Sequence, residues 1–446
     1  MEPARPAGDE QLELDVGEVA QGGWCVAREP GGRVVLVRHA LPGERVLARV
    51  TEVTSRFARA EATEILEASP DRVEPPCPHA RPGGCGGCDW QHASLAAQRQ
   101  FKASVIGQQL RRIAGLDREV TVEPLPGDED GLGWRTRVRF AVRPGGLAGL
   151  RQHRSHEIID IGTCPIAHPL VNEAAVTRGR WPGATSVAAV TSPGTDERAV
   201  VVTPSGPPRP RGSRGRTGGR PPGRGPSAAS RAAWPEQVTG PVLVAGSGGL
   251  TALRGGPFLH RTAAGRTWRT SAGVFWQVHP AAADVLAGVV SEVLRPQPGD
   301  VALDLYCGAG LFAGTLAAAV GPSGEVIGIE SDRAAVRDAR HNLRDTPWAR
   351  VHRGDVAEVL GQAQWEQASL AVLDPPRVGA ARPALDLLLR PGSALRRVAY
   401  VSCDPATLAR DIAVFAGAGW QLGALRAFDA FPMTHHVECV ATLTRE

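Results

Sequence analysis

The chain has 446 residues, 42% of them hydrophobic, a length and composition for two to four domains with sizeable cores. No apolar run approaches the ~18 residues of a membrane helix, and Met1–Leu12 is acidic and polar with no signal-peptide core, so a cytoplasmic rather than a membrane-bound protein is expected. The formal charge is only +4, and residues 205–231 carry seven arginines and no acid, so the remainder is net negative. Lys102 is the only lysine, an arginine bias that lowers the information in any single arginine.

In chain order, the first predicted elements are strands at Leu12–Ala20, Gly31–Val37, Glu44–Val53 and Ala58–Ile65, separated by Gly and Pro turns. Four or five short strands in so little chain suggest an OB-like β-barrel over residues 1–70. Residues 75–90 are too rich in Pro, Gly and Cys for a regular element, and a helix is expected at Ser94–Ile113. Trp134–Val142 and Leu147–Ile161 read as strands of a central α+β domain spanning 71–270. Within it the Arg, Gly and Pro-rich insert 205–233 cannot bury a core and is expected to be disordered. From residue 298 apolar runs at Val301–Leu305, Val326–Ile329, Leu370–Leu373 and Val398–Val401 alternate with helix-length segments. That is the pattern of an α/β doubly wound, Rossmann-like sheet, assigned to 271–446.

The strand Val301–Leu305 runs into Tyr306-Cys-Gly-Ala-Gly310, and the next strand ends in Glu330, 22 residues after Gly308. Glycines there let backbone approach a ligand, and an acid at that spacing can accept from ribose hydroxyls. Ala313 stands where a dinucleotide fingerprint has its third glycine, and the acid Asp304 lies at the strand's end. Both favour S-adenosylmethionine over a pyrophosphate cofactor.

Two later strands end in reactive residues. Leu370–Leu373 leads into Asp374-Pro-Pro-Arg377, a turn stiffened by its prolines. Val398–Val401 leads into Ser402-Cys403-Asp404-Pro405, where a following helix N-terminus is expected to lower the Cys403 pKa. Alone, Cys403 reads as an inert cysteine and Asp374 as a turn acid; their shared place beside a cofactor loop favours chemistry. Cys77, Cys85, Cys88 and Cys164 form a set that can hold zinc or an iron–sulfur cluster. Spacing does not choose between them. Cys25, Cys307 and Cys439 read as structural. Trp134-Arg-Thr-Arg-Val-Arg139 is expected to place three arginines on one strand face, as an RNA contact or a solvated surface.

The segments Ser271–His279, Leu303–Phe312, Asp374–Arg377, Val401–Asp411 and Phe431–Glu438 resemble the RNA 5-methyluridine methyltransferases, specifically the ribosomal type with a TRAM domain and an iron–sulfur cluster. The resemblance spans nearly the whole chain outside the insert. It implies that Gln277, Tyr306, Glu330 and Asp374 bind S-adenosylmethionine, that Cys403 is the nucleophile and Glu438 the general base, and that Cys77, Cys85, Cys88 and Cys164 hold a [4Fe–4S] cluster. The implied partner is RNA, 23S rRNA first and tRNA second, met by a monomer. A non-catalytic RNA-binding protein is the rival of another class. His279 and Leu311 depart from the family's usual Asn and carry no assigned role.

Overall fold

The structure is a computed structural model that describes residues 5–6, 10–205, 234, 238–246, 249–362 and 365–445. The insert expected at 205–233 lies outside the described residues apart from Ser205.

Strands Gln11–Ala20, Trp24–Arg28, Val34–Arg38, Arg45–Val53 and Phe57–Glu67 close into a barrel, because the last pairs with both Val34–Arg38 and Arg45–Val53. Alternation dictates the interior: Leu14, Val16, Val35, Val37, Val46, Ala48, Ala58 and Ala60 point inward and are buried. The first strand breaks register between Val16 and Val19. Gly17 sits in that break, where a Cβ would meet the Val26 carbonyl at 2.9 Å. Trp24–Arg28, which follows the Gly22-Gly23 turn, is a fifth strand beyond the four named from the sequence.

The expected helix forms as Leu95–Gln109 plus a π-helical turn Leu110–Ala114, capped by the Ser94 hydroxyl on the Ala97 amide at 3.2 Å. The central sheet has seven strands, among them Arg137–Val142, Ala184–Ser192 and Glu197–Pro204. Leu147–Ile161 is not one strand. It folds back as Ala148–Arg151 and Ile158–Ile159, paired antiparallel around a turn in which Arg154 adopts φ 51°. The polar run His153–His156 supplies that turn, since it offers no apolar residue to bury.

The C-terminal sheet has eight strands in the order Ala349–Arg353, Glu325–Glu330, Val301–Leu305, Leu370–Leu373, Arg397–Ser402, Glu438–Thr444, Gln421–Asp429 and Val122–Pro124. The first five run parallel and Glu438–Thr444 runs antiparallel to its neighbours. Apart from the edge strand Ala349–Arg353, the parallel strands are apolar on both faces because helices cover both. Leu303, Leu305, Leu373 and Tyr400 face a core shared with Ile106, Leu385, Leu408 and Phe415. Ala302, Val372, Ala399 and Val401 face the opposite core, with Leu286, Leu316 and Trp268. Val122–Pro124, far upstream, completes the sheet edge beside Gln421–Asp429.

Candidate active site

Parallel strands bring their carboxyl ends to one side of a sheet, and ligands bind there. Tyr306, Glu330, Asp374 and Cys403 each follow or end such a strand, and all four line one cavity of about 1370 Å³. Glu438 joins them for a different reason. Its strand is antiparallel, so its first residue lies where its neighbours end, with Cys439 in register with Ser402. Gln277 lines the same cavity. Its segment is held from the start of strand Arg137–Val142: the Thr136 amide and hydroxyl both donate to the Val278 carbonyl, at 2.9 and 2.8 Å.

The cofactor side is built from local geometry. The Glu330 carboxylate accepts the Gly308 amide at 3.0 Å and the Asp332 amide at 2.7 Å, which fixes it in front of the glycine turn. Tyr306 turns with φ 67°, a left-handed conformation disfavoured for a tyrosine. Asp304 does not line the cavity. It is fully buried, and its Oδ2 accepts the Ala313 amide at 2.7 Å while Oδ1 has no partner. Burial, then the nearby Asp374 and Glu330, push its pKa up to about 8. Asp355 also lines the cavity, two residues beyond strand Ala349–Arg353. The strand-end rule that found Glu330 applies to it equally, and the sequence reading passed over it.

The reactive side corrects one expectation. Burial pushes the Cys403 thiol up to about 12, Glu438 adds to that, and Arg377 opposes it. The lowering expected from the following helix does not outweigh burial. The helix N-cap, Asp404, already accepts the Thr407 amide at 2.9 Å, and Pro405 has no N–H to offer the sulfur. Arg377 is the cation that faces Cys403, a role the sequence reading did not assign, and its Nη2 lies 3.3 Å from His436 Nε2. Burial also raises the Asp374 pKa to about 7. Glu438, 4% exposed, is raised well above the ordinary carboxyl range by burial and Asp374, against Arg377. Two histidines line the cavity beside Glu438; His435 has its Nδ1 on Asp89 at 2.6 Å. His436 is lowered to about 3 by burial and the neighbouring cations, and is a weak base.

Arg137 is likewise corrected. It does not present itself to RNA with Arg135 and Arg139; its Nη2 donates to the Ala272 and Val274 carbonyls, 2.7 Å each, and so pins the Gln277 segment. The departure His279 has a local partner: its Nε2 stands 3.1 Å from Asp128 Oδ1, close enough for an ion pair though not aligned as a hydrogen bond.

Cys77, Cys85, Cys88 and Cys164 line a second cavity of about 610 Å³. Among the described residues no three His, Cys, Asp or Glu side chains are gathered tightly enough to hold a single metal ion. The donor set nonetheless suits a larger cationic group. Burial raises the Cys85, Cys88 and Cys164 thiols, and neighbouring thiols add to the rise at each. A cation among them would relieve that repulsion. The loop is tightly shaped by Gly84 and Gly86, whose Cβ atoms would meet the His79 carbonyl at 2.2 Å and the His153 backbone at 2.6 Å.

Comparison with known proteins follows the same division of the chain. Residues 10–63 match the TRAM domain model, 296–384 a methyltransferase domain model, and 362–446 the tRNA (uracil-5-)-methyltransferase model. An uncharacterized RNA methyltransferase of Streptomyces avermitilis is 48% identical, over 97% of this chain and 98% of that protein. The 23S rRNA (uracil(1939)-C(5))-methyltransferase RlmD of Acidithiobacillus ferrooxidans is 33% identical over 93% of both. Among solved structures, the Pyrococcus abyssi tRNA (uracil-54, C5)-methyltransferase shares the fold with a TM-score of 0.70 at 23% identity, over 97% of this chain and all of that one. With a TRAM barrel at one end and a methyltransferase sheet at the other, this chain belongs to the S-adenosylmethionine-dependent RNA (uracil-C5)-methyltransferase family.

Proposed function

We propose that the chain methylates carbon 5 of a uridine in 23S rRNA through a covalent bond between Cys403 and carbon 6. The observation that carries this reading is the shared cavity: Cys403 and the buried Glu438 line the same space as Gln277, Tyr306, Glu330 and Asp374. Gln277, Tyr306, Glu330 and Asp374 would hold S-adenosylmethionine. Bound, it would supply an electrophilic methyl group on a sulfonium, whose sulfur would keep the electron pair of the broken S–CH3 bond and leave as a neutral thioether. Cys403 as thiolate adds to carbon 6, which makes carbon 5 nucleophilic. Once carbon 5 carries its methyl, Glu438 takes the carbon-5 proton, the C6–S bond breaks, and its electron pair returns to sulfur. A carboxyl raised by burial is a strong base when ionised, which suits that step. Arg377 favours the thiolate in a site where burial opposes it. The target base must leave its stack for carbon 6 to reach the Cys403 sulfur inside the cavity.

The ribosomal substrate is supported by the Acidithiobacillus ferrooxidans relative named for it, at 33% identity over 93% of both chains. The tRNA reading is supported by the family model over 362–446. The four thiols that line the second cavity support a [4Fe–4S] cluster in preference to one zinc, since among the described residues no three donors gather around a single-ion site. We place the protein in the cytoplasm as a monomer that acts on RNA, the substrate class its relatives are named for. Mass-spectrometric mapping of 5-methyluridine in total RNA, with and without the protein, tests the substrate. Loss of one site in 23S rRNA supports the proposal, and loss confined to tRNA replaces it with the second reading. Iron and sulfide content after anaerobic purification tests the cluster, and stoichiometric zinc would refute it.

A further inference from the structure

The two cavities share a wall. Gly86, Gly87 and Arg135 line both, and the next residue after Cys88, Asp89, lines the catalytic one. Asp89 grips the turn that precedes Glu438. Its Oδ2 accepts from His435 Nδ1 at 2.6 Å and from the His435 amide at 3.1 Å. The Asp89 and Trp90 amides both donate to the Met433 carbonyl, at 2.9 and 3.1 Å. Met433 has φ 66°, so the turn rests in a conformation that needs outside support. Gln98 supplies more of it, accepting the Met433 amide at 2.8 Å. The barrel contributes as well. Arg38 Nη2 donates to Asp89 Oδ1 and to the Cys88 carbonyl, both at 3.2 Å. Gly23 packs so closely that a Cβ there would stand 3.0 Å from the His435 Cβ and 3.1 Å from that of Asp89.

We infer that Asp89 is a positioning residue for methyl transfer: through His435 and Met433 it makes the cysteine loop a clamp on the turn that sets Glu438 at the cavity wall. Asp89 touches no reacting atom. A hydrogen-bonded network of this kind fixes the group it supports to within the small tolerance that proton transfer demands. Cysteine loop, RNA-binding barrel and catalytic strand thus meet at one carboxylate. The inference rests on the proposed role of Glu438 in resolving the covalent adduct.

The test uses the full chain, purified anaerobically, with Asp89→Ala, His435→Ala and the double variant, on an RNA that the wild type methylates. Each single variant is expected to lower kcat about tenfold and leave KM for S-adenosylmethionine within about twofold. The double variant should be no slower than the worse single one, as for two halves of one interaction. The fraction of enzyme trapped as protein–RNA adduct during turnover should rise, because resolution slows while Cys403 still adds. A scaffold role alone would lower active protein without raising that fraction. Unchanged kcat in folded variants, additive losses or an unmoved adduct fraction would each overturn the inference. If Asp89→Ala does not fold, His435→Ala decides, since that side chain is 26% exposed. Adduct accumulating in Glu438→Gln but in neither clamp variant defeats the clamp alone; no adduct in Glu438→Gln defeats the underlying mechanism.

Discussion

The cofactor wall and the nucleophile wall of the same cavity are built in opposite ways. Around the glycine turn of the cofactor wall, Glu330 and Gly308 are fixed by hydrogen bonds to residues at most 22 positions away, within one βαβ unit, and only the Gln277 segment is held from afar, by Thr136 and Arg137. The Glu438 side is fixed by Asp89, Gln98 and Lys102, more than 320 residues upstream. Lys102 is fully buried, paired with Asp429 and donating to the Phe431 carbonyl at 3.1 Å. A site assembled partly from local turns and partly from long-range contacts can bind its cofactor before its chemistry is complete. The two walls should therefore fail separately.

The largest separation is expected for Cys403→Ala. Methylation should fall to background while binding of S-adenosylmethionine, followed by calorimetry, stays within about threefold, because the thiol supplies a covalent bond and no cofactor contact. Lost cofactor affinity would merge the two walls. Next, Lys102→Ala leaves Asp429 buried without its partner, which costs about 3–5 kcal/mol in a broken buried ion pair. Denaturant unfolding should show that loss, and the pair Lys102→Met with Asp429→Leu should recover most of it. A loss below about 1 kcal/mol would mean that the upstream helix does not hold the reactive wall. On the other side, Glu330→Ala should raise KM for S-adenosylmethionine by about tenfold, the worth of a charged hydrogen bond, with a smaller effect on kcat. The gentlest probe is alkylation of Cys403 in the free protein. With its thiol pushed up to about 12, thiolate grows as pH rises, so the rate should climb about tenfold per pH unit from 7 to 10. A plateau below pH 8 would restore the helix-lowered thiol that the sequence suggested.

The same contrast separates what the sequence made legible from what it did not. The barrel and the doubly wound sheet follow from apolar periodicity and from Gly and Pro turns, and so does the meeting of Tyr306, Glu330, Asp374 and Cys403 at strand ends. Glu438 entered by resemblance, because an acid that opens an antiparallel strand looks like any exposed strand acid until its register with Ser402 is known. Asp89, Arg377 and Lys102 could not be read at all: their partners lie across the fold, and arginine is too common in this chain to stand out. The thiol of Cys403 was misjudged because the sequence shows a helix start but neither the burial of the sulfur nor that Asp404 has already taken the Thr407 amide. Arg137 was misjudged for a related reason. Alternation gives a residue's face, and here that face is covered by the Ala272–Val274 backbone.

The covalent mechanism is tested most directly by denaturing electrophoresis and intact mass of Glu438→Gln after incubation with RNA and S-adenosylmethionine. The variant should turn over about 10²–10⁴-fold more slowly, the usual worth of a general base. It should accumulate a denaturation-resistant adduct whose mass is protein plus RNA plus one methyl group, absent when Cys403 is also Ala. Slow turnover with free protein and no adduct, or an adduct that persists in the double variant, would contradict a Cys403 bond resolved by Glu438.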